Sequence, residues 1–180
     1  TFARKKSFFS QGLVAHVSIA HPVCSRLGGH IESSAKDLGI EIVRGGTYIA
    51  MEGPQFSTIA ESELYRSWGC DLVGMTNMPE AKLAKEAEIC YVSVAMVTDY
   101  DCWHADQDNV TVEAMIKVLM DNADKAKSLV KGASSVIASD ETSSQCNCKF
   151  SLENAIITSP DHRDKLLVKK LEAVAGRLLN

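Results

Sequence analysis

No stretch of this chain is apolar for long enough to cross a bilayer. The most hydrophobic segment, Ile89 to Val97, falls far short of the roughly 20 residues a spanning helix needs, so no membrane association is expected. Positive charge is in short supply. Nineteen Lys and Arg against 23 Asp and Glu leave a net charge of -4, which gives no electrostatic reason to expect a nucleic-acid or anionic-membrane partner. The basic cluster Arg4-Lys5-Lys6 is too short to alter that. No signal-like segment precedes the first strand-like stretch, which points to the cytoplasm. There is no internal repeat, and neither Gly28-Gly29 nor Gly45-Gly46 lies in a phosphate-loop pattern. A zinc motif is lacking as well. Cys146-x-Cys148 is the one close pair among six cysteines, and it has no second pair or histidines beside it. A structural or surface role is expected for it, not metal binding or redox chemistry, and no metal or cofactor is predicted.

What remains is an ordinary globular composition, 46% hydrophobic and 23% charged, in a chain long enough for one substantial core. A single domain over residues 1–180 is expected, with a serine-rich mobile loop around 138–147. Cys24, Cys70, Cys90 and Cys102 lie in apolar surroundings where buried free thiols are common. The chain opens on Thr1-Phe2-Ala3 and enters an apolar stretch almost at once, as if in the middle of something longer.

Periodicity then predicts the elements. Leu13 to Ala20 alternates and reads as a strand, Arg26 to Leu38 as a helix stopped by Gly39. Ile40 to Val43 and Thr47 to Met51 read as strands around Gly45-Gly46. Thr58-x-x-Glu61 has the form of a capping box opening a helix to about Trp68, and Cys70 to Met75 is a short apolar strand. Thr76 or Asn77 caps a further helix ending near Ala87, with Pro79 in its first turn. Ile89 to Thr98 reads as a strand buried on both faces, and Thr111 opens a helix to about Val130. A last helix starts at Ser159-Pro160. Alternating strands and helices imply an α/β fold with a mixed central sheet flanked by helices.

Ligands in such folds bind beyond the carboxyl ends of strands. The long apolar run ends in Thr98-Asp99-Tyr100-Asp101, and if the strand persists both carboxylates face one way. Such a crowded pair can hold a proton and lend it to a substrate. Spacing alone favours a simpler reading, a turn or a helix cap. In the same way Phe56 reads as a packing aromatic, Thr76 as an N-cap and His16 as a satisfied core histidine.

Three ordered segments alter that balance: Glu52-Gly53-Pro54-Gln55-Phe56-Ser57, Gly74-Met75-Thr76-Asn77-Met78-Pro79-Glu80 and Thr98-Asp99-Tyr100-Asp101-Cys102-Trp103. In order and spacing they resemble the methylthioadenosine phosphorylases of the trimeric purine nucleoside phosphorylase family. Leu83 to Ala87, Ile89-Cys90-Tyr91, the opening around Phe8-Phe9 and His16, and Ala155 to Thr158 are similar too. The resemblance implies a nucleoside phosphorylase-like fold and a set of roles. Phe56 would stack on the purine, with the Ser57 hydroxyl beside it. Asp99 would face N7 and the exocyclic amine, and Asp101 would hold that geometry. Met75 would line the ribose, and Thr76 would bind phosphate. Val110, Val112 and Ile116 would surround the 5′-methylthio end, and His16 would reach a neighbouring subunit's site, implying a homotrimer.

The reaction implied is phosphorolysis of 5′-methylthioadenosine to adenine and 5-methylthioribose 1-phosphate, in purine and methionine salvage. Inorganic phosphate is the co-substrate, and protonated Asp99 acts as general acid. Two carboxylates at the base favour a 6-aminopurine, because 6-oxopurine relatives resemble one another in using asparagine there. A 6-oxopurine or methylthioinosine phosphorylase is the alternative within the class. Family members carry a further N-terminal portion with a glycine-rich phosphate loop and an arginine-histidine pair that this sequence does not show. A second chain holding that portion, or an incomplete sequence, is therefore expected. A fragment that binds adenine nucleosides, or assembles with a partner chain, without catalysis is the alternative outside the class. Cys146-x-Cys148 resembles a motif that can be oxidised in some members. Gly74 departs from the asparagine many relatives have before Met-Thr.

Overall fold

A computed structural model describes residues 3–104, 112–142 and 146–179. In chain order the elements are α1 (Ser25–Asp37), β1 (Tyr48–Ala50), α2 (Ile59–Ser67), β2 (Leu72–Gly74), α3 (Glu80–Glu86), α4 (Val112–Ala138), α5 (Lys165–Lys170) and α6 (Glu172–Leu179), with 3-10 turns at Asn147–Phe150 and Pro160–His162. The class is α/β. Two compact units are present, one comprising Thr1–Gly28, Asn77–Ser93 and Asp140–Asn180, the other Gly29–Thr76 and Val94–Ser139.

The first unit has a core of Phe9, Leu13, Leu152, Ala155, Leu171, Ala175 and Leu179. Leu171, Ala175 and Leu179 recur every four residues, which puts them on one helical face. The predicted alternation of 13–20 is real, since exposure rises and falls with period two. A full strand does not form, however. The segment pairs through single antiparallel bridges, with the His16 amide donating to the Ala155 carbonyl (2.8 Å) and the Ile157 amide to the Val14 carbonyl (2.9 Å). The Thr158 hydroxyl accepts from the Val14 amide at 2.9 Å, so a side chain takes over one rung of the ladder.

Two carboxylates bind the N-terminal segment and α6 into this unit. Buried Glu86 accepts from the Phe8 amide (2.7 Å) and the Ser7 hydroxyl (2.8 Å). Glu88 accepts from the Leu152 amide (3.1 Å) and from Arg177 Nη2 (2.8 Å). Helix α3 begins later than expected. Its N-cap is Pro79, without a side-chain cap bond, and Asn77 adopts a φ of 62° just before it. The final predicted helix is a 3-10 turn followed by α5 and α6, because the Asp164 carboxylate caps α5 by accepting from the Leu167 amide.

In the second unit β1 and β2 pair in parallel, Tyr48 opposite Leu72 and Ala50 opposite Gly74. The capping box of α2 is fully formed, each partner of Thr58 and Glu61 bonded to the other's backbone, and Gly69 ends the helix at a φ of +75°. Helix α4 runs eight residues beyond the expected end and buries Leu129 and Ala133.

Two expected strands are absent. Residues 40–43 are irregular, with Val43 exposed. Ile89 to Thr98 also forms no strand, and Ile89 (58%) and Val97 (56%) are exposed instead of doubly buried. An apolar run becomes an inner strand only where strands flank both its edges. Among the described residues none does. The Val97 carbonyl accepts a bond from the Asn122 side chain instead.

Candidate functional site

The second unit brings together the 52–57 loop, the Gly74-Met75-Thr76 part of the second motif and the Thr98–Trp103 segment. Leaving β1, the Met51 amide donates to the Gly74 carbonyl (2.8 Å), which ties the start of the 52–57 loop to the end of β2. Gly53 has a φ of +69°, and a Cβ there would run into the sulfur of Met75. The loop therefore lies directly over Met75, and only glycine allows it to come so near. Ser57 is half-buried and donates to the Met51 sulfur at 3.4 Å. Its carbonyl accepts from the Cys102 thiol, also at 3.4 Å, which joins the loop to the Thr98–Trp103 segment.

That segment is anchored on α2. The Arg66 guanidinium lies 3.6 Å from the Trp103 ring centroid, and Tyr100 stacks on His104 with centroids 4.5 Å apart. Burial pushes the Tyr65 hydroxyl's pKa up, and the charges of Glu61 and Asp101 add to the effect. The Cys102 thiol is raised too, by burial first and by Asp101 second.

The two aspartates differ in setting. Asp101 is half-buried, its carboxylate accepting from the Cys102 amide (2.8 Å) and its carbonyl from the His104 amide (3.1 Å). Asp99 is exposed and accepts from the Thr98 hydroxyl at 2.5 Å. They lie in a turn, not on a strand, so their expected presentation on one strand face does not hold. Phe56 is 87% exposed, so it is not a packing aromatic. Met75 is half-buried, Thr76 exposed and Ile116 exposed on α4. Val110 and the side chain of Val112 lie outside the described residues. In the first unit His16 is exposed, which removes the reading of a core histidine. A wide apolar groove of about 510 Å³ lies between Met96 and Ala123, Ala126, Lys127, Val130 and Lys131, and contains none of the candidate residues.

A cluster that spacing did not reveal lies within the first unit. The thiols of Cys24, Cys90, Cys146 and Cys148 all lie within 4.8 Å of one another. Burial pushes Cys148 up to about 12 and raises Cys90. Burial also opposes ionisation of Cys146, but the Cys148 amide, Arg26 and the neighbouring thiols outweigh it and bring Cys146 down to about 6. No signal within a single segment could have found this group, because three separate stretches supply it.

The chain is 60% identical, over 99% of its length, to the S-methyl-5′-thioadenosine phosphorylase of Rhodospirillum rubrum, and 56% identical to that of Bradyrhizobium diazoefficiens. It covers 61% and 62% of those proteins, so it spans about three-fifths of the curated relatives it matches. A crystal structure of a methylthioadenosine phosphorylase from an antarctic soil metagenomic library superimposes with a TM-score of 0.87 at 40% identity, over 95% of this chain and 60% of that one. A variant of the adenosine/methylthioadenosine phosphorylase of Schistosoma mansoni, solved with methylthioadenosine, gives a TM-score of 0.75 at 25% identity, over 84% and 59%. The pattern of the phosphorylase superfamily matches residues 1–135, a span that includes every candidate nucleoside- and phosphate-site residue, and on that match the chain belongs to this superfamily.

Proposed function

We propose that the chain supplies the nucleoside-binding part of an S-methyl-5′-thioadenosine phosphorylase, a pentosyltransferase, and that its two compact units are parts of one phosphorylase domain. One contact supports this reading most strongly, the Cys102 thiol bonded to the Ser57 carbonyl. It brings the segment bearing Asp99 and Asp101 against the one bearing Phe56, although 45 residues separate the bonded pair. The names of the relatives agree with it.

On this reading the exposed ring of Phe56 is a free face on which a purine stacks. Asp99 then lies at the N7 edge of the base, shut off from water by the ligand, and in its acid form donates to N7. Asp101 keeps the turn in shape through the Cys102 amide and lends negative charge toward the exocyclic amine. As the N9–C1′ bond breaks, a phosphate oxygen bonds to C1′ from the opposite face, and the proton from Asp99 leaves with adenine. Met75 lines the ribose and Thr76 donates to phosphate. Val110, Val112 and Ile116 enclose the methylthio end, and no cofactor enters. His16, exposed in the first unit, is free to serve a neighbouring subunit, which fits a homotrimer. Among the described residues no helix is long and apolar enough to cross a membrane, and a salvage enzyme of this kind belongs in the cytoplasm.

The test uses the whole phosphorylase, with methylthioadenosine and inosine compared in the presence and absence of phosphate. Phosphate-dependent release of adenine, with inosine turned over at least about 10⁴-fold more slowly, is the expected result. Faster turnover of inosine would transfer the protein to the 6-oxopurine class. Tight nucleoside binding by this chain in calorimetry, without phosphorolysis by the whole protein, would make it a non-catalytic binding fragment.

A further inference from the structure

We propose that the first unit holds a structural zinc ion bound by the Sγ atoms of Cys24, Cys90, Cys146 and Cys148. The observation is geometric. A zinc–sulfur bond of about 2.3 Å in a tetrahedron sets the sulfurs about 3.8 Å apart. Cys24 and Cys146 are 3.6 Å apart, Cys90 and Cys146 3.5 Å, and every pair is within 4.8 Å. Two disulfides would instead divide the four sulfurs into pairs at about 2.0 Å. Here each thiol has the other three within 4.8 Å, close enough together for one ion to take all four as ligands.

The surroundings suit the charge. Four thiolates and one divalent ion carry two net negative charges, and two cations stand beside the sulfurs. Arg26 Nη2 is 3.5 Å from Cys90 Sγ, and Lys85 Nζ is 3.9 Å from Cys148 Sγ. The Leu27 amide points at Cys24 Sγ from 3.5 Å. Donors of this kind orient and tune thiolate ligands. Arg26 is itself held by Asp140. Cys24 and Cys148 are buried, and Cys90 and Cys146 half-buried. All four coordination positions come from the protein, so the ion would be structural, with no open position for catalysis.

What such an ion would do follows from where its ligands lie. Cys24 stands just before α1, Cys90 just after α3, and Cys146 and Cys148 on either side of Asn147 in the 3-10 turn. One ion would fasten three remote stretches of chain, and its binding free energy would add to folding. On binding, the thiol protons pass to water and no electron moves. The proposal stands apart from the nucleoside reading, since either can fail alone.

The experiment takes the full protein chain, kept reduced and freed of metal, and titrates it with zinc and separately with cobalt. One zinc per chain is expected. So are the intense visible bands and the sulfur-to-cobalt charge transfer of a tetrahedral tetrathiolate. Cys90→Ser and Cys148→Ser should each weaken zinc binding by at least about 10- to 100-fold, the usual loss for even an outer-shell partner. Cys70→Ser and Cys102→Ser should leave the stoichiometry at one. Should the serine variants fail to fold, the cobalt spectrum of the unaltered protein decides by itself. A folded, reduced chain that takes up no zinc, cobalt bound without thiolate charge transfer, or zinc kept undiminished by the Cys90 and Cys148 variants would each overturn the proposal.

Discussion

The hydroxyl of Tyr48 occupies the space that a side chain at Gly74 would need. The pair lie on the two strands whose carboxyl ends carry the candidate site, Tyr48 opening β1 and Gly74 closing β2. The glycine that departs from the asparagine of many relatives is thus matched to its neighbour. Gly74→Ala should cost about 1–3 kcal/mol of stability, the usual penalty for overpacking. In a double-mutant cycle with Tyr48→Ala, chemical denaturation should give a total well below the sum of the single changes. Simple additivity would mean that the two residues do not compete for space.

The core of the first unit makes a second test. Leu152 is almost fully buried among Phe9, Leu13 and Leu171, so Leu152→Ala should lose about 2–5 kcal/mol, read from the midpoint of denaturation. Leu166, which is exposed on α5, should tolerate the same change within about 0.5 kcal/mol.

Helix α2 gives a pH dependence whose sign is fixed. The Thr58 amide and hydroxyl both donate to Glu61, at 2.8 and 2.7 Å, and hold its carboxyl below the ordinary value. A lowered folded-state pKa adds stability above the unfolded-state pKa, and that stability is lost as pH falls through the folded value. The difference in stability between the native chain and Glu61→Gln should therefore be full near about pH 6 and fade toward about pH 3. A difference that grew on acidification would contradict the cap. Thr58→Ala should cost about 1 kcal/mol at neutral pH.

The features legible in the sequence were those decided within a few residues. The capping box of α2 depends on Thr58 and Glu61 alone, and Gly39 and Gly69 end their helices through their own positive φ. Three motif segments could be read by resemblance, and two of their contacts, Gly53 with Met75 and Ser57 with Cys102, were not needed to find them. What could not be read depends on distant partners. The apolar run 89–98 carries strand composition, but composition does not supply flanking strands. The four thiols are drawn from positions 24, 90, 146 and 148, and only the fold brings them to one point.

Base preference offers a test of the aspartates apart from rate. Asparagine at position 99 would present an amide donor to a 6-oxo group and lose the carboxylate's attraction for the amine. Asp99→Asn should therefore shift the ratio of kcat/KM for methylthioadenosine over inosine toward inosine by at least about tenfold, measured by release of the two bases. An unchanged ratio would place Asp99 away from the purine edge.

The most direct measurement is the turnover of the whole phosphorylase carrying Asp99→Ala, set against its folded yield. If Asp99 hands a proton to the departing adenine, kcat should fall about 10²- to 10⁴-fold while folded yield and melting temperature stay near those of the unaltered enzyme. A folded Asp99→Ala enzyme with undiminished kcat would contradict the proposed role of this acid.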